Sequence, residues 1–327
     1  MGRKFIHAAI ALTLLVLIAG GDASLWVYSQ FTRPGPHQLD VTIIIKPGGG
    51  LKAIAQQLET GGVIGDALAF QLGARFEGRV NDLHAGEFLI QPGERAREIL
   101  SVLKSGKTVL RRFTIVEGLT ITQIIKQINT TQGLSGEVYF APPPEGSLLP
   151  ETYFFSYGED RQDVVERMRL GMKQILRDTW NLRDADLPLK TAHDALILAS
   201  IVEKETGLAP ERAHVASVFI NRLRRNMRLQ SDPTVSYGIT NGKFELDRPL
   251  SRADLKQLTS YNTYMIDGLP PGPISNPGRD AIEAVLHPLI SDDLYFVADG
   301  TGGHAFAKTL DEHNRNVRKW RKLQSSN

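Results

Sequence analysis

The sequence contains no cysteine, so disulfide bonds and thiolate metal sites are both excluded. This absence suits an exported protein, which thereby avoids oxidative mispairing. The eight histidines form no H-E-x-x-H motif or other close ligand pair, and we predict neither a metal site nor a cofactor. Excess positive charge is also missing, because 38 Lys and Arg stand against 36 Asp and Glu. Without a basic field to meet phosphates, we predict no nucleic-acid partner.

A long apolar run occurs near the amino terminus and has no second copy further along the chain. Arg3 and Lys4, in the predicted cytoplasmic segment 1–4, precede a predicted transmembrane helix at residues 5–25. At 1.5 Å per residue this helix is roughly 31 Å long, about one hydrocarbon core. Residues 26–40 are predicted to be a linker on the far side of the membrane. A cleaved signal peptide is the alternative, because residues 19–21 are all small.

A pattern of strand, glycine-containing turn and amphipathic helix occurs three times after the linker. It predicts strands at residues 41–45, 86–90 and 112–116, followed by helices at 51–58, 96–103 and 121–128. We therefore expect a small α+β module over residues 41–140. The proline-rich residues 141–146 mark a junction to a larger α+β domain at 145–327. Within that domain we predict helices at 164–176, 213–223 and 310–323, a strand at 294–298, and a loop-rich stretch over 226–280.

The most apolar segment of the larger domain is residues 195–202, which contain nothing more polar than Ser200. Apolar residues on every face indicate a buried helix, although a buried strand has the same composition. Either structure brings Glu203 out of the protein interior. Glu203 then has two interpretations, a solvated helix end or a general acid whose pKa is raised by burial.

Loops rich in Gly and Pro present polar and aromatic side chains after residue 226, as expected of a binding cleft. Asn, Gln and Tyr suit a sugar, because they offer partners to hydroxyl groups and a ring for stacking. Ordinary turn chemistry is the alternative. The candidate substrate-binding residues are Asn221, which precedes these loops, and Gln230, Asp232, Thr234, Tyr261, Asn262, Tyr264, Asn276 and His304.

Several of these segments, taken in order, resemble the endolytic murein transglycosylase family, also called YceG-like. They are LASIVEKET at 198–206, VASVFINRL at 215–223, LQSDPTVSYG at 229–238, YNTY at 261–264, GLPPGPI at 268–274, and FVADG at 296–300 with Gly303 and His304. One motif departs from the family pattern, because EGSLLPET at 145–152 lacks the early aromatic residues. A stacking contact at Ser147 or Leu148 is therefore not expected.

The resemblance implies a membrane-anchored enzyme with a LysM-like small module and a larger catalytic domain. Its reaction would cut the MurNAc–GlcNAc β-1,4 bond within peptidoglycan strands, leave 1,6-anhydro-MurNAc ends and so terminate strand elongation. The resemblance places the catalytic acid on Glu203. It also implies a single-pass protein of the bacterial inner membrane that faces the periplasm, and association with peptidoglycan synthases.

Two other functions stay open on the sequence. The first is a hydrolytic muramidase in which Asp232 or Glu205 activates water, because ordinary glycosidases use two carboxylates. The second is a scaffold that binds peptidoglycan without cleaving it.

Overall fold

The computed structural model describes residues 2–78, 82–138 and 142–324, with the side chains of residues 2–4 left out. The chain divides into two compact units. The amino-terminal unit comprises Met1–Arg111, Gly133–Ser135 and Phe154–Glu159. The carboxy-terminal unit comprises Arg112–Gln132, Gly136–Tyr153 and Asp160–Asn327. Residue 141, the first of the predicted junction, falls outside the described residues, as do residues 139 and 140 of the predicted small module.

The chain begins with a long helix, α1 (Gly2–Thr32), and its segment Phe5–Thr32 is apolar enough to cross a membrane, with mean hydropathy 2.0. The helix extends seven residues beyond the predicted end of the span at residue 25. The reason is packing, because Val27 and Phe31 are buried within the amino-terminal unit. The first part of the predicted linker is therefore helical.

The amino-terminal unit packs helices against a two-stranded antiparallel sheet. Val41 of β1 lies opposite Ile90 of β2, and Ile45 lies opposite Gly86. The sheet and helices share one buried core that includes Leu58, Phe70, Phe88 and Leu100. The elements after α1 are β1 (Val41–Ile45), α2 (Leu51–Thr60), α3 (Ala67–Phe76), β2 (Gly86–Ile90) and α4 (Ala96–Ser105).

Two paired strands, β3 (Leu110–Thr114) and β4 (Thr152–Ser156), lie on stretches where the chain passes between the units. The helix α5 (Ile121–Thr130) follows β3 and belongs to the carboxy-terminal unit. A capping box starts α5, since Thr120 accepts from the Gln123 backbone and the Gln123 side chain accepts from the Thr120 backbone.

The carboxy-terminal unit is organised around one buried helix, α7 (Ala192–Glu205). Thr191 and Asp194 form the capping box that starts α7, and every residue from Ala195 to Val202 is buried. Helices on several sides complete the core. The other elements are α6 (Arg161–Asn181), α8 (Ala209–Arg224), α9 (Asp232–Thr240), α10 (Arg279–Leu286), β5 (Tyr295–Ala298), β6 (His304–Ala307) and α11 (Leu310–Gln324).

The mixed α+β class is confirmed, and the apolar run at 195–202 is a helix rather than a strand. The three predicted strand-and-helix pairs are present within a few residues of their predicted bounds. Within the predicted loop-rich residues 226–280, α9 occupies Asp232–Thr240 and α10 begins at Arg279. The helix α3 and the strands β4 and β6 were not predicted. The domain boundaries and the LysM-like character of the small module stay predictions.

Candidate functional site

The Glu203 carboxylate lies at the carboxy-terminal end of α7 and is nearly closed off from solvent, with its side chain 5% exposed. Its Oε2 accepts a hydrogen bond of 2.9 Å from the backbone N–H of Gly278. Gly278 is the N-cap of α10, so the carboxylate caps the positive end of a helix dipole. Burial and a fixed donor give this side chain one orientation.

A single guanidinium, that of Arg212 on α8, serves three carboxylates around this site. Its Nη2 lies 3.6 Å from Oε1 of Glu203 and 3.7 Å from Oε2 of Glu117. Its Nη1 donates to Oδ2 of Asp280 at 3.2 Å. Arg212 and Glu203 are nearly buried, whereas the side chains of Glu117 and Asp280 are 42% and 64% exposed. With all three acids ionised, the cluster would carry two uncompensated negative charges.

The surroundings of Glu203 raise its pKa above the ordinary value. Burial is the largest cause, and the negative charges of Glu117 and Asp280 act in the same direction. The Gly278 N–H and the Arg212 guanidinium oppose them, because both stabilise the ionised form. The raised pKa favours the protonated form, which suits a residue that must give a proton.

Gly278 and Gly118 allow the carboxylates to approach the backbone closely. A methyl group at Gly278 would collide with Oε1 of Glu117, so no other residue fits here without displacing that side chain. The backbone of Gly278 is extended, and the requirement is therefore one of space rather than of conformation. Gly118, with a φ of +77°, packs against the side chains of Glu203 and Lys204.

A second carboxylate, the half-buried Glu145, lies at the amino terminus of α5. Its Oε1 accepts from the Ile121 backbone at 2.8 Å and from Asn276 Nδ2 at 2.9 Å, and its Oε2 accepts from the Tyr237 hydroxyl at 3.2 Å. Burial raises the pKa of Glu145 in spite of these donors. Through these hydrogen bonds, Glu145 connects α5 to α9 and to the segment before Gly278.

A cavity of about 630 Å³ lies beside this cluster. Lys204, the residue after Glu203, is part of its wall, but Glu203 itself is not. Aromatic, hydroxyl and charged groups face the space, a mixture that fits a polar, ring-containing ligand. The polar and aromatic side chains that line the cavity include Gln123, Lys204, Asp232, Ser236, Tyr237 and Arg248.

Glu205 lies on the other side of α7 from Glu203, because two positions along a helix turn it by about 200°. Its Oε1 accepts from the Ser231 hydroxyl at 2.5 Å. Burial, followed by the charge of Asp232, raises its pKa to about 7. Glu205 borders a separate cavity of about 430 Å³ together with Gln230, Asp232 and Tyr264. Asp232 belongs to the walls of both cavities.

Three of the predicted binding residues, Gln230, Asp232 and Tyr264, thus lie together on the smaller cavity. The Tyr264 hydroxyl donates to Oδ1 of Asp232 at 2.7 Å. Tyr261 packs against Tyr237, with ring centroids 4.8 Å apart. These residues are available to a ligand, and their binding role stays a prediction.

Other predicted residues have polar groups committed to the protein itself. The buried Asn262 amide donates to three backbone carbonyls, of residues 254, 255 and 257. Asn221 donates to the carbonyls of Ser291 and Asp293. The Thr234 hydroxyl donates to the Ser231 carbonyl. These side chains fix the loops that surround the cavities.

Asn276 and His304 are also engaged within the protein. The fully buried Asn276 donates to Glu145 and to the Leu119 carbonyl, and accepts from the Leu148 N–H. Leu148 is itself fully buried. His304 Nδ1 pairs with Glu211 at 2.7 Å.

Sequence reasoning missed Glu117, Arg212 and Asp280. Glu117 lies directly after the third strand of the recurring pattern, and Glu-Gly at that point was a signal for a functional turn. Arg212 and Asp280 carry no comparable signal, because their role depends on three elements meeting in space. Among the residues that the structure describes, no group of three or more His, Asp or Glu side chains is arranged to hold a metal ion.

The chain is similar in sequence to proteins of a known family. Residues 43–319 match the profile of the YceG-like family. The chain is 32% identical over 310 residues to a Bacillus subtilis protein named endolytic murein transglycosylase, covering 86% of this chain and 84% of that protein. It is 30% identical over 323 residues to a protein of the same name from Streptococcus pneumoniae D39, covering 85% of this chain. It spans only 58% of that longer relative.

The fold agrees with these matches. A crystal structure of a YceG-like protein from Listeria monocytogenes superposes with a TM-score of 0.53 and 32% sequence identity, covering 85% of this chain and 99% of the other. The family profile covers most of the chain, and the chain therefore belongs to the YceG-like family. The predicted family is confirmed, and the relatives' names bear out the predicted enzyme class, a lytic transglycosylase of peptidoglycan.

Proposed function

We propose that this chain is a membrane-anchored endolytic murein transglycosylase with Glu203 as its catalytic acid and base. It cuts the MurNAc–GlcNAc β-1,4 bond inside peptidoglycan strands and leaves 1,6-anhydro-MurNAc ends, which terminates strand elongation. The observation that carries the proposal is the Glu203 carboxylate, buried at the N-cap of α10 and shared with Glu117 and Asp280 through Arg212. Relatives that bear the transglycosylase name support the reaction class.

The reaction needs Glu203 in both protonation states. Protonated Glu203 gives its proton to the glycosidic oxygen as the bond from C1 to that oxygen breaks. The 6-hydroxyl of the same MurNAc then forms the new bond to C1, and its proton returns to the Glu203 carboxylate. No water is consumed, and atoms and charge balance. The attack is intramolecular and gains from proximity, which removes the need for a protein nucleophile.

The contacts of Glu203 support this alternation. Burial and the charges of Glu117 and Asp280 favour the protonated form that begins the cycle. Once the proton has left, the Gly278 N–H and Arg212 stabilise the carboxylate without any movement of the chain. The enzyme therefore does not have to reorganise its charges during the reaction.

The 630 Å³ cavity is the proposed site for the glycan strand next to the scissile bond. Lys204 connects it to Glu203, and the cavity offers ring faces and hydrogen-bonding groups of the kind that sugars use. We assign Tyr237, Gln123 and Arg248 to substrate binding in this cavity, in addition to the predicted Asp232. Among the other predicted residues, Asn221, Thr234, Asn262 and Asn276 act by holding the surrounding loops.

We further propose that α1 anchors the enzyme in the inner membrane with the catalytic unit outside, on the side of the cell wall. The apolar segment Phe5–Thr32 and the positive residues before it support this orientation. Association with peptidoglycan synthases stays an expectation from the family.

The test compares Glu203→Gln with a matched control on the same helix, Glu205→Gln. Purified full-length protein in detergent is incubated with defined glycan strands, and anhydro ends are counted by mass spectrometry. Glu203→Gln should lose general acid catalysis, a fall of about 10² to 10⁴ in rate, while Glu205→Gln keeps most of the activity. Full activity of Glu203→Gln would remove Glu203 from the mechanism.

The same experiment separates the alternatives. Hydrolysis would give reducing ends one water heavier than anhydro ends. The carboxylates named for a hydrolytic route bond elsewhere in this structure, Glu205 to Ser231 and Asp232 to Tyr264. A scaffold would bind strands equally well as wild type and as Glu203→Gln, and neither protein would cut them.

A further inference from the structure

The helix α3 packs against the last two turns of α1 in an antiparallel direction. Near the start of α3, a methyl group at Gly65 would meet Arg33 and Gln30. In its middle, the rings of Phe70 and Phe31 lie 6.3 Å apart. Its far end, at Phe76, shares a groove with Leu25 and Tyr28 of α1. As the chain moves forward along α3, it therefore moves back along α1.

This direction carries the end of α3 towards the membrane. If the span of α1 starts at Phe5, about 20 residues at 1.5 Å each cross the ~30 Å hydrocarbon core. Leu25 then lies at the outer boundary of that core, and the next turns of α1 pass through the lipid headgroups. Because Phe76 lies beside Leu25 and Tyr28, it reaches the same level.

The side chains at this level are large and apolar or aromatic, and yet they are exposed to solvent. Phe76 is 79% exposed, and Leu25 and Tyr28 are each 69% exposed. The groove between the two helices measures about 470 Å³ and is mostly apolar, with Arg97 and Glu77 at its edge. Gly73 makes this close packing possible, because a methyl group there would lie 2.5 Å from the Phe31 ring.

We propose that the carboxy-terminal end of α3 docks into the outer surface of the bilayer, with Phe76 inserted at the boundary between headgroups and acyl chains. The occupant of the groove is lipid, because Leu25 and Tyr28, which line the groove, belong to the apolar segment Phe5–Thr32 of α1. Helices that lie at the membrane surface bury Trp, Phe and Leu side chains at this boundary. The amino-terminal unit would then stand on the membrane at two points, which fixes its tilt. This inference rests on the proposed membrane crossing of α1 and is independent of the chemistry at Glu203.

The absence of native cysteine permits a clean test by site-directed spin labelling. Leu25→Cys, Phe76→Cys and Leu68→Cys are labelled one at a time in the full-length protein, which is reconstituted into phosphatidylethanolamine–phosphatidylglycerol vesicles. The ratio of collisions with oxygen to collisions with a water-soluble nickel chelate reports depth. Leu68 is the matched control, an exposed apolar residue of α3 eight positions before Phe76, about 12 Å away along the helix.

Docking predicts a ratio at position 76 close to that at position 25 and several-fold above that at position 68. Equal ratios at 76 and 68, with position 25 still inserted, would overturn the docking. An uninserted label at position 25 would refute the membrane crossing and the docking with it. Neither result would affect the formation of anhydro ends from strands in detergent, so failure here is distinct from failure of the proposed reaction.

A second copy of the chain is the competing occupant of the groove. It would bring two labels at position 76 together and broaden the spectrum through spin–spin coupling. Broadening that persists when the protein is diluted tenfold in lipid would overturn the proposal in favour of a dimer contact. A sharp spectrum with lipid-level oxygen access supports it.

Discussion

The carboxylates of Glu203 and Glu117 meet at one nitrogen, Nη2 of Arg212, at distances of 3.6 and 3.7 Å. Glu203 is nearly buried, while Glu117 is 42% exposed and comes from the turn before α5. The exposed acid therefore acts on the buried one in two ways, by direct repulsion and by competing for the same guanidinium. Glu117 is a positioning residue in this arrangement, and its effect can be measured on Glu203.

The first prediction concerns the pH profile of Glu117→Gln. Removing the negative charge of Glu117 lowers the pKa of Glu203, because one cause of its elevation disappears and Arg212 turns more fully to Glu203. The acid form of Glu203 is then lost at lower pH. The alkaline limb of kcat/KM should move to lower pH, with the acidic plateau little changed. Glu166→Gln, at a surface pair with Arg169, is the control and should leave the limb in place.

The second prediction uses Gly278→Ala. The new methyl group would collide with the Glu117 carboxylate and push it away from Arg212, while the extended backbone of Gly278 tolerates alanine. Gly278→Ala should therefore shift the pH limb in the same direction as Glu117→Gln. The double variant should show no further shift, since both changes remove one interaction. Additive shifts would mean that Gly278 acts on Glu203 by another route.

The third prediction concerns stability and Glu205. The pKa of this buried carboxyl is about 7 in the folded protein, above its ordinary value of 4.5. The folded state thus binds more protons between these values, and stability falls as pH rises from about 4.5 to about 7. The loss amounts to about 3 kcal/mol at most, at 1.36 kcal/mol per unit.

Glu205→Gln removes this loss, because glutamine stays neutral. Its melting temperature relative to wild type should rise by roughly 5–10 °C on going from pH 5 to pH 8. Thermal unfolding followed by circular dichroism checks the difference, with Glu166→Gln as a surface control. A difference that does not depend on pH would show that Glu205 is not the group that titrates.

The fourth prediction separates a structural role of Asn276 from a binding role. Asn276→Ala leaves the half-buried Glu145 carboxylate and the Leu148 N–H without their partner, at a cost of about 2–3 kcal/mol. The melting temperature should fall by roughly 5–10 °C. Asn314→Ala, at an exposed position of α11, should change it little. Unchanged stability together with a raised KM would instead identify Asn276 as a direct sugar ligand.

Local patterns were enough to predict much of the fold. Strands such as Val41–Ile45 and Gly86–Ile90 are predictable because apolar runs followed by turn glycines occur within short segments. The helices after them are predictable because their apolar residues recur with helical periodicity. Helix α3 was missed, although Asp66 caps it, because Gly73 interrupts its pattern. The reason for that glycine lies in the contact with Phe31, and no local rule contains it.

For the site, the sequence by itself determined that Glu203 follows a long apolar run and that the chain resembles one family of peptidoglycan-cleaving enzymes. It could not determine the neighbours of Glu203. Arg212, Glu117, Asp280 and Gly278 lie on four separate segments, and only tertiary packing decides that they share one cluster. The same packing engages the side chains of Asn262 and Asn276 in hydrogen bonds within the protein, which the sequence does not show. The pKa of Glu203 depends on this folded cluster, because burial and the distances to neighbouring charges set it, and not the order of the residues in the chain.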